Sequence, residues 1–176
     1  RRAIRHLDPA ASEPFDKILA EQENVYDQWV TYLRSMKAET VNATLVDVVD
    51  LTRRTIEASG GPNISFKSEE HVPRVKADTG MIAETVTNLL VNALAASRDD
   101  QPVRVQVGYN PAGTTVYIEV EDRGTGIPED IQPRIFDPGF STSDRGNGYG
   151  LSICRRIVAA HRGTIRFQSS VGRGTV

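Results

Sequence analysis

The sequence has little of what several specialised protein classes require. Its single cysteine, Cys154, excludes an intrachain disulfide or a cysteine-built zinc site, and we expect it to be a core residue. The 21 basic and 23 acidic residues are interspersed, so no basic field indicates a nucleic acid or a membrane surface as partner. No apolar run approaches the roughly 18 residues that cross a bilayer, and no signal peptide is recognisable. We therefore expect a cytoplasmic protein, with any membrane anchor in segments outside this chain.

The first part of the chain contains one long amphipathic segment. Between Glu13 and Lys37 the large apolar residues recur every three or four positions, which predicts a helix with one apolar face. Nothing helical of similar length precedes it to cover that face, so we expect a dimerisation helix that forms a homodimer. A core helix of an unrelated helical unit is the alternative. We predict a helical dimerisation segment over residues 1–38 and a globular domain over residues 39–176.

The rest of the chain mixes the periods of helices and strands. Apolar residues at helical spacing predict helices over 45–58, 81–97 and 151–160. Alternating polar and apolar residues predict strands, of which the two longest form a hairpin: 64–67, 74–77, 103–109, 116–120 and 164–169. This order predicts an α/β two-layer sandwich, with helices on one face of a mixed sheet and the long helix preceding it.

Two polar motifs lie beside these elements. Asn88 and Asn92 are four residues apart in the second predicted helix, so both amides project from one face. Carboxamide oxygens suit a magnesium ion that is held mainly by phosphate oxygens, although two solvated amides would have the same spacing. Asp122 follows a predicted strand, where a carboxylate can accept a hydrogen bond from an exocyclic amine. Gly124 and Gly126 would let the backbone approach a flat ring, and a simple turn is the alternative.

A glycine repeat precedes the last predicted helix. Gly146, Gly148 and Gly150 can turn their backbone N–H groups toward an anion at the start of that helix, where the helix dipole also favours negative charge. The repeat lacks the Gly-Lys-Ser/Thr ending of a Walker loop and the preceding strand of a dinucleotide fingerprint. The glycine- and proline-rich stretch over 123–150 is longer than an ordinary connection, so we expect it to be functional.

Together these motifs resemble the four boxes of the histidine kinase catalytic domain. Asn88-Leu-Leu-Val-Asn92-Ala resembles the N box, Asp122–Gly126 the G1 box, Phe136–Phe140 the F box and Gly146–Leu151 the G2 box. The resemblance covers about residues 40–176 and implies the Bergerat ATP-binding fold of the GHKL superfamily. The sequences Asn-Ala-Leu-Ala-Ala and Phe-Ser-Thr-Ser also resemble those of the nitrogen-regulation subgroup of sensor kinases.

The resemblance implies roles for the residues of these boxes. ATP and Mg²⁺ would be the cofactors, with Asn92 as the magnesium ligand and Asn88 as a supporting contact on the phosphate side. Asp122 would bind the adenine amine in a pocket that Gly124 and Gly126 shape. In the ATPase branches of the superfamily a glutamate stands where Asn88 stands and serves as base for water. Because an amide cannot accept that proton, the resemblance implies transfer of the γ-phosphate rather than hydrolysis.

The resemblance also implies a lid over about residues 128–147. Arg145 in this lid is the candidate for contacting the γ-phosphate, and a solvated charge is the alternative. Phe136 and Phe140 are expected to anchor the lid by burial. The other residues expected to contact the nucleotide border the lid or follow it: Ile127, Thr142, Gly146, Gly148, Tyr149, Gly150 and Leu151.

A phosphoacceptor histidine is not evident in the sequence. His6 and Pro9 have the wrong separation for the family's acceptor box, His71 lies in a polar loop, and His161 ends the last predicted helix in a structural position. The first expectation is an ATP-dependent histidine kinase that serves a response regulator receiver domain. The second is a kinase-like module that binds ATP and acts as a switch or interaction domain without autophosphorylation. A serine kinase of the anti-sigma type is the third.

Overall fold

The computed structural model describes residues 40–60, 63–97, 101–142 and 148–176, all within one compact unit, Ala38–Val176. The predicted dimerisation helix and the domain boundary after residue 38 lie outside the described residues. The helices are α1 (Val48–Ser59), α2 (Thr79–Ala96) and α3 (Gly150–Ala160), with a 3₁₀ turn at Gln132–Arg134. The strands are β1 (Thr44–Val46), β2 (Ile64–Ser68), β3 (Val75–Ala77), β4 (Val103–Asn110), β5 (Thr115–Glu121), β6 (Ser169–Ser170) and β7 (Gly174–Thr175).

The central sheet has the strand order β2-β4-β5 and is mixed. Strand β4 runs parallel to β2 and antiparallel to β5, so that Val105 lies opposite Phe66 on one side and Val120 on the other. Two short antiparallel pairs, β1 with β3 and β6 with β7, complete the described strands. A single bridge between Asp122 and Thr175 joins β7 to the end of β5. The predicted mixed sheet is therefore confirmed.

The core lies between one face of this sheet and the helices. Strand β4 alternates as predicted, with Val103, Val105 and Val107 at most 1% exposed. Val103 and Val105 pack with the buried face of α2, formed by Val86, Leu90 and Ala93, while Val107 packs with Leu51 of α1. Phe66 and Ile118 contact both clusters. This arrangement confirms the predicted two-layer sandwich. None of the helices within the described ranges is long and apolar enough to cross a bilayer.

Aspartates begin the first two helices. The carboxylates of Asp47 and Asp78 accept hydrogen bonds from the backbone N–H groups of Asp50 and Met81, each at 3.1 Å, and so satisfy donors that the helix leaves unpaired. Because Asp78 is the N-cap, α2 begins two residues before the predicted Met81. Helix α1 ends at Ser59, and its C-cap Gly60 has a φ of 63°, the left-handed conformation expected of a glycine at this place.

His161 ends α3 and joins it to the start of α2. Its Nδ1 donates to the Ile157 carbonyl at 2.8 Å, and its Nε2 accepts from the backbone N–H of Asp78 at 2.9 Å. Nearby, Cys154 is fully buried and donates to the Thr85 carbonyl at 3.7 Å. Burial, with a smaller contribution from Glu84, raises the pKa of the Cys154 thiol to about 12. Both the structural position of His161 and the core position of Cys154 follow the sequence-based expectations.

The predicted strand over residues 164–169 is mostly wrong. Only Ser169 belongs to a ladder, in β6, and Gln168 adds a pair of backbone hydrogen bonds with Val176 at 2.8 and 2.9 Å. The alternation has another cause. Ile165 and Phe167 are half-buried between exposed neighbours, and the Phe167 ring packs edge-on against Phe136 at 5.9 Å. Alternating burial therefore occurs here in residues that mostly belong to no strand.

Candidate functional site

Asp122 is a buried carboxylate at the end of β5. It is 6% exposed, and its Oδ1 accepts a hydrogen bond from the backbone N–H of Gly124 at 2.8 Å. Its backbone pairs with Thr175 through hydrogen bonds of 2.8 and 3.3 Å. Oδ2 has no hydrogen bond within the part of the chain that the structure describes. One carboxylate oxygen thus shapes the loop, and the other is left as an acceptor for a ligand.

The glycines after Asp122 lie between two other elements. A Cβ on Gly124 would overlap the carbonyl oxygen of Ala96 at the C-terminal end of α2, and Thr125 N–H donates to that oxygen at 3.3 Å. Gly126 has a φ of 68°, and a Cβ there would overlap the carbonyl oxygen of Ser170. Sequence reasoning expected these glycines to admit a ligand ring. The close approach of protein backbone already requires both of them.

Asn88 lies where α2 meets the start of α3. A Cβ on Gly150 would lie 3.5 Å from Asn88 Oδ1. Asn88 is half-buried, whereas Asn92, one turn further along α2, is exposed. Tyr149, the N-cap residue of α3, provides no side-chain cap, so the first-turn N–H groups of α3 are available to an anion. The structure therefore brings the N-box helix and the G2 box together.

A hydrogen bond joins the middle of the predicted lid to the residue that follows the lid. Gly139 N–H donates to the Gly148 carbonyl at 3.0 Å, and Gly148 has a φ of 70°. A Cβ on Gly148 would lie 2.7 Å from the Gly139 carbonyl oxygen, so glycine is required at this crossing. Next to it, the Arg134 guanidinium lies 4.7 Å from the centre of the Phe140 ring. The F box and the G2 box thus contact each other directly.

Residues 77–176 match the family described as histidine kinase-, DNA gyrase B- and HSP90-like ATPases. The chain belongs to this ATPase family. Its curated relatives include the signal transduction histidine-protein kinase AtoS of Escherichia coli K12, which is 30% identical over 95% of this chain and 28% of its own length. The adaptive-response sensory kinase SasA of Prochlorococcus marinus is 32% identical over 84% of this chain and 39% of its own length. The chain thus spans less than two thirds of these relatives.

Solved structures agree with the family assignment. The catalytic domain of the histidine kinase ThkA has a TM-score of 0.66 and 29% identity, and the match covers 76% of this chain and 91% of that domain. Full-length ShkA in complex with AMPPNP has a TM-score of 0.75 and 23% identity, over 97% of this chain and 38% of that one. The latter similarity is one of fold. The predicted fold and superfamily are confirmed, and the nitrogen-regulation subgroup stays a prediction.

The other residues predicted to contact the nucleotide differ in their exposure to solvent. Ile127, Tyr149 and Leu151 are half-buried, and Thr142 is exposed. Arg145 and Gly146 lie outside the described residues. The Phe136 and Phe140 rings are both half-buried against protein, as expected of residues that anchor the lid.

The contribution of the β6–β7 hairpin to the site is not predicted from the sequence. Gly174 has a φ of 96°, and a Cβ there would overlap the carbonyl oxygen of Asp122. The hairpin therefore packs directly on the backbone of the acidic residue. The glycine pattern Gly172-Arg-Gly174-Thr was the available signal, because alternate glycines beside a short strand often mark close approach of another backbone.

The donors available to a metal are amides rather than a cluster of charged side chains. No group of three or more His, Cys, Asp or Glu residues that could hold a metal ion lies in the described ranges. Asn88 and Asn92 lie four residues apart on α2 and carry neutral amide oxygens. That set fits Mg²⁺ if phosphate oxygens and water supply the remaining ligands.

Proposed function

We propose that this chain is the ATP-binding part of a sensor histidine kinase and transfers the γ-phosphate of ATP to a histidine of the kinase dimer. One observation carries the proposal. Asn88 of α2 faces Gly150 at the uncapped start of α3, while the loop that begins at the buried Asp122 packs on the C-terminal end of the same helix. An acceptor for a base amine and a place for phosphates thus lie along one helix. The relatives named as sensor kinases support the same function.

The described groups suit different parts of the nucleotide. The Asp122 carboxylate can accept a hydrogen bond from the exocyclic amine of adenine. The free N–H groups in the first turn of α3 and the dipole of that helix favour the phosphates. By resemblance to the family, Arg145 would contact the γ-phosphate, where its positive charge offsets the charge of the transferred group.

Asn88 favours transfer over hydrolysis. Its amide cannot take a proton from water, and Glu84, one turn earlier on α2, is exposed. Without a base beside the γ-phosphate, water is a poor nucleophile there. ATP would therefore persist until a histidine side chain approaches it.

Magnesium would be held by the amides of α2. We assign Asn92 as its protein ligand and Asn88 as a supporting contact, with phosphate oxygens as the main ligands. When bound, Mg²⁺ neutralises charge on the transferred phosphoryl group. For the whole protein, we propose a homodimer formed through the helix that the sequence predicts within residues 1–38, a response regulator receiver domain as partner, and a cytoplasmic location.

Labelling with γ-³²P-ATP and magnesium tests the proposal in the full-length protein that contains this chain. The expected result is protein-bound label that is lost in acid and stable in base, as for phosphohistidine. Asn92→Ala should reduce this label at least tenfold because it removes the proposed magnesium ligand. Thr87→Ala is the matched control, since Thr87 is also exposed on α2 and its hydroxyl donates within its own helix, to the Ala83 carbonyl at 2.9 Å. Acid-stable label would refute the histidine kinase.

A nucleotide-dependent switch is the second candidate function. Both ring nitrogens of His161 are engaged in structural hydrogen bonds, so this histidine is not a phosphoacceptor in the described structure. If the full-length protein binds ATP with magnesium but acquires no label, the switch replaces the kinase. If Asn92→Ala is labelled like the wild type, the assignment of the magnesium ligand is wrong.

A further inference from the structure

The loop of residues 122–127, here called the base-binding loop, is fixed to the β6–β7 hairpin at three points. Asp122 pairs with Thr175 through the backbone, and the Thr125 carbonyl accepts from Gly172 N–H at 2.7 Å. The third point is Ile127, whose backbone N–H donates to Ser169 Oγ at 2.8 Å. The first two points join backbone to backbone. Only the third depends on a particular side chain.

The Ser169 hydroxyl uses its full hydrogen-bonding capacity within the protein. A hydroxyl has one proton to donate and two lone pairs that accept. Ser169 Oγ accepts from Ile127 N–H and donates its proton to the Gly174 carbonyl at 3.1 Å. The Thr175 hydroxyl, 2.9 Å away, must therefore be the donor in its contact with Ser169. Both strands of the hairpin and the base-binding loop meet at this one oxygen.

Gln132 binds the carbonyl side of Ile127. Its Nε2 donates to the Ile127 carbonyl at 2.9 Å and lies 3.5 Å from the Ser169 carbonyl. The N–H and the carbonyl of Ile127 are thus both bonded to side chains. Ile127 lies outside every strand, so its position is set by these side chains rather than by a sheet ladder.

We propose that Ser169 is a positioning residue that determines how well the site distinguishes adenine from guanine. This inference rests on the proposed ATP-binding function. At the position where adenine presents an amine, guanine presents a carbonyl oxygen, which a carboxylate such as Asp122 repels. That discrimination requires the base to be held in one place. Ser169 fixes Ile127 relative to Asp122. Without the Ser169 hydroxyl the Ile127 end of the base-binding loop can shift, and guanine can then bind at a distance where Asp122 repels it less.

Dissociation constants for ATP and GTP, measured by calorimetry on the full-length protein that contains this chain, test the role of Ser169. We expect the ratio of the GTP constant to the ATP constant to fall about tenfold in Ser169→Ala and in the nearly isosteric Ser169→Cys. Ser169→Thr, which retains the hydroxyl, should keep the ratio. Ser170→Ala is the matched control, because it removes a hydroxyl from the exposed neighbour in β6. A general loss of folded protein would weaken binding of both nucleotides and leave the ratio unchanged.

The outcomes separate the inference from the function on which it rests. A wild-type protein that does not bind ATP overturns the proposed function. A wild type that binds ATP but does not prefer it to GTP overturns the role of Ser169 alone, as does an unchanged ratio in Ser169→Ala. Should Ser169→Ala fail to fold, Ser169→Cys decides in the same way. An equal fall in the ratio of the GTP to the ATP dissociation constant in Ser169→Thr or Ser170→Ala also contradicts the inference.

Discussion

Glu69 organises the outer face of the sheet from an exposed position. Its Oε2 accepts from the backbone N–H of Tyr109 at 2.8 Å, and its Oε1 accepts from the Tyr117 hydroxyl at 2.9 Å. These bonds stabilise the charged carboxylate and hold the pKa of Glu69 below its ordinary value, the Tyr109 bond having the larger effect. The hydrogen bond to Glu69 in turn raises the pKa of Tyr117. Gly108 makes the arrangement possible, because a Cβ there would overlap the Tyr117 ring.

Tyr117→Phe should raise the pKa of Glu69 toward its ordinary value of about 4.5, because one of the two bonds to the carboxylate is lost. The lowered pKa means that Glu69 contributes stability above its unfolded-state pKa and loses it as the pH falls through the folded-state pKa. That acid-dependent loss should be smaller in the variant. NMR titration of the Glu69 side-chain carbonyl measures the shift. Tyr109→Phe keeps the backbone donor and should leave the pKa unchanged, whereas an unchanged pKa in Tyr117→Phe would contradict the bond.

Single residues differ in how far sequence alone could place them. Asp122 and Asn88 could be singled out in the sequence because each belongs to a motif. Glu69 carried no such signal, because its partners lie 40 and 48 residues away. Ser169 was missed because its role depends on Ile127, 42 residues earlier in the chain. Contacts of this kind are decided by the folded topology rather than by local pattern.

At the scale of elements, periodicity located the helices and long strands. The predicted start of α1 at residue 45 is wrong, because Thr44–Val46 form β1 and Asp47 caps the helix. Helix α2 was predicted over 81–97 and is observed over Thr79–Ala96, because the Asp78 side chain caps it. Strands β4 and β5 are each one residue longer than predicted at the turn that joins them. The strand prediction over residues 164–169 is mostly wrong, because alternating burial does not require a hydrogen-bonded neighbouring strand.

Two glycines at the ends of α2 should respond in opposite ways to alanine. Gly80 lies in the first turn, where a Cβ would meet Asp78 Oδ1 at an ordinary 3.4 Å, so Gly80→Ala should stabilise the fold by about 0.5–1 kcal/mol. Gly124→Ala would force the base-binding loop away from Ala96 and should lower the free energy of unfolding by about 1–3 kcal/mol. Urea denaturation of both variants gives the two free energies. Equal effects in the two variants would show that the packing of the loop on α2 is incorrect.

For the whole molecule, the described core is continuous because two residues are shared. One cluster lies under α1 and the other under α2, and the half-buried Phe66 and Ile118 contact both. The sequence predicted both helices as layers on the sheet and, through the four boxes, the family. It could not indicate which strand residues bridge the clusters, because that depends on the register between β2, β4 and β5.

Ile118→Ala should destabilise the domain by about 2 kcal/mol, since it removes packing from both clusters at once. Leu45→Ala is the control: Leu45 is 64% exposed, and its loss should change the free energy of unfolding by no more than about 0.5 kcal/mol. Hydrogen exchange of the β4 amides, followed in urea, should report a single transition for both halves of the strand. Two separate transitions would mean that the clusters unfold independently.

The hydrogen bond between Gly139 and Gly148 has a consequence for evolution and engineering. It joins the two ends of the loop of residues 140–147. The F box and the G2 box are therefore held together by their own contact rather than by the chain between them. The entropic cost of a longer loop rises only by about 0.6 kcal/mol for each doubling of its length. Insertions after Phe140 should therefore be well tolerated by the domain. Lid length can diverge among homologues while the pocket is preserved, and the same position is suitable for a genetically encoded reporter.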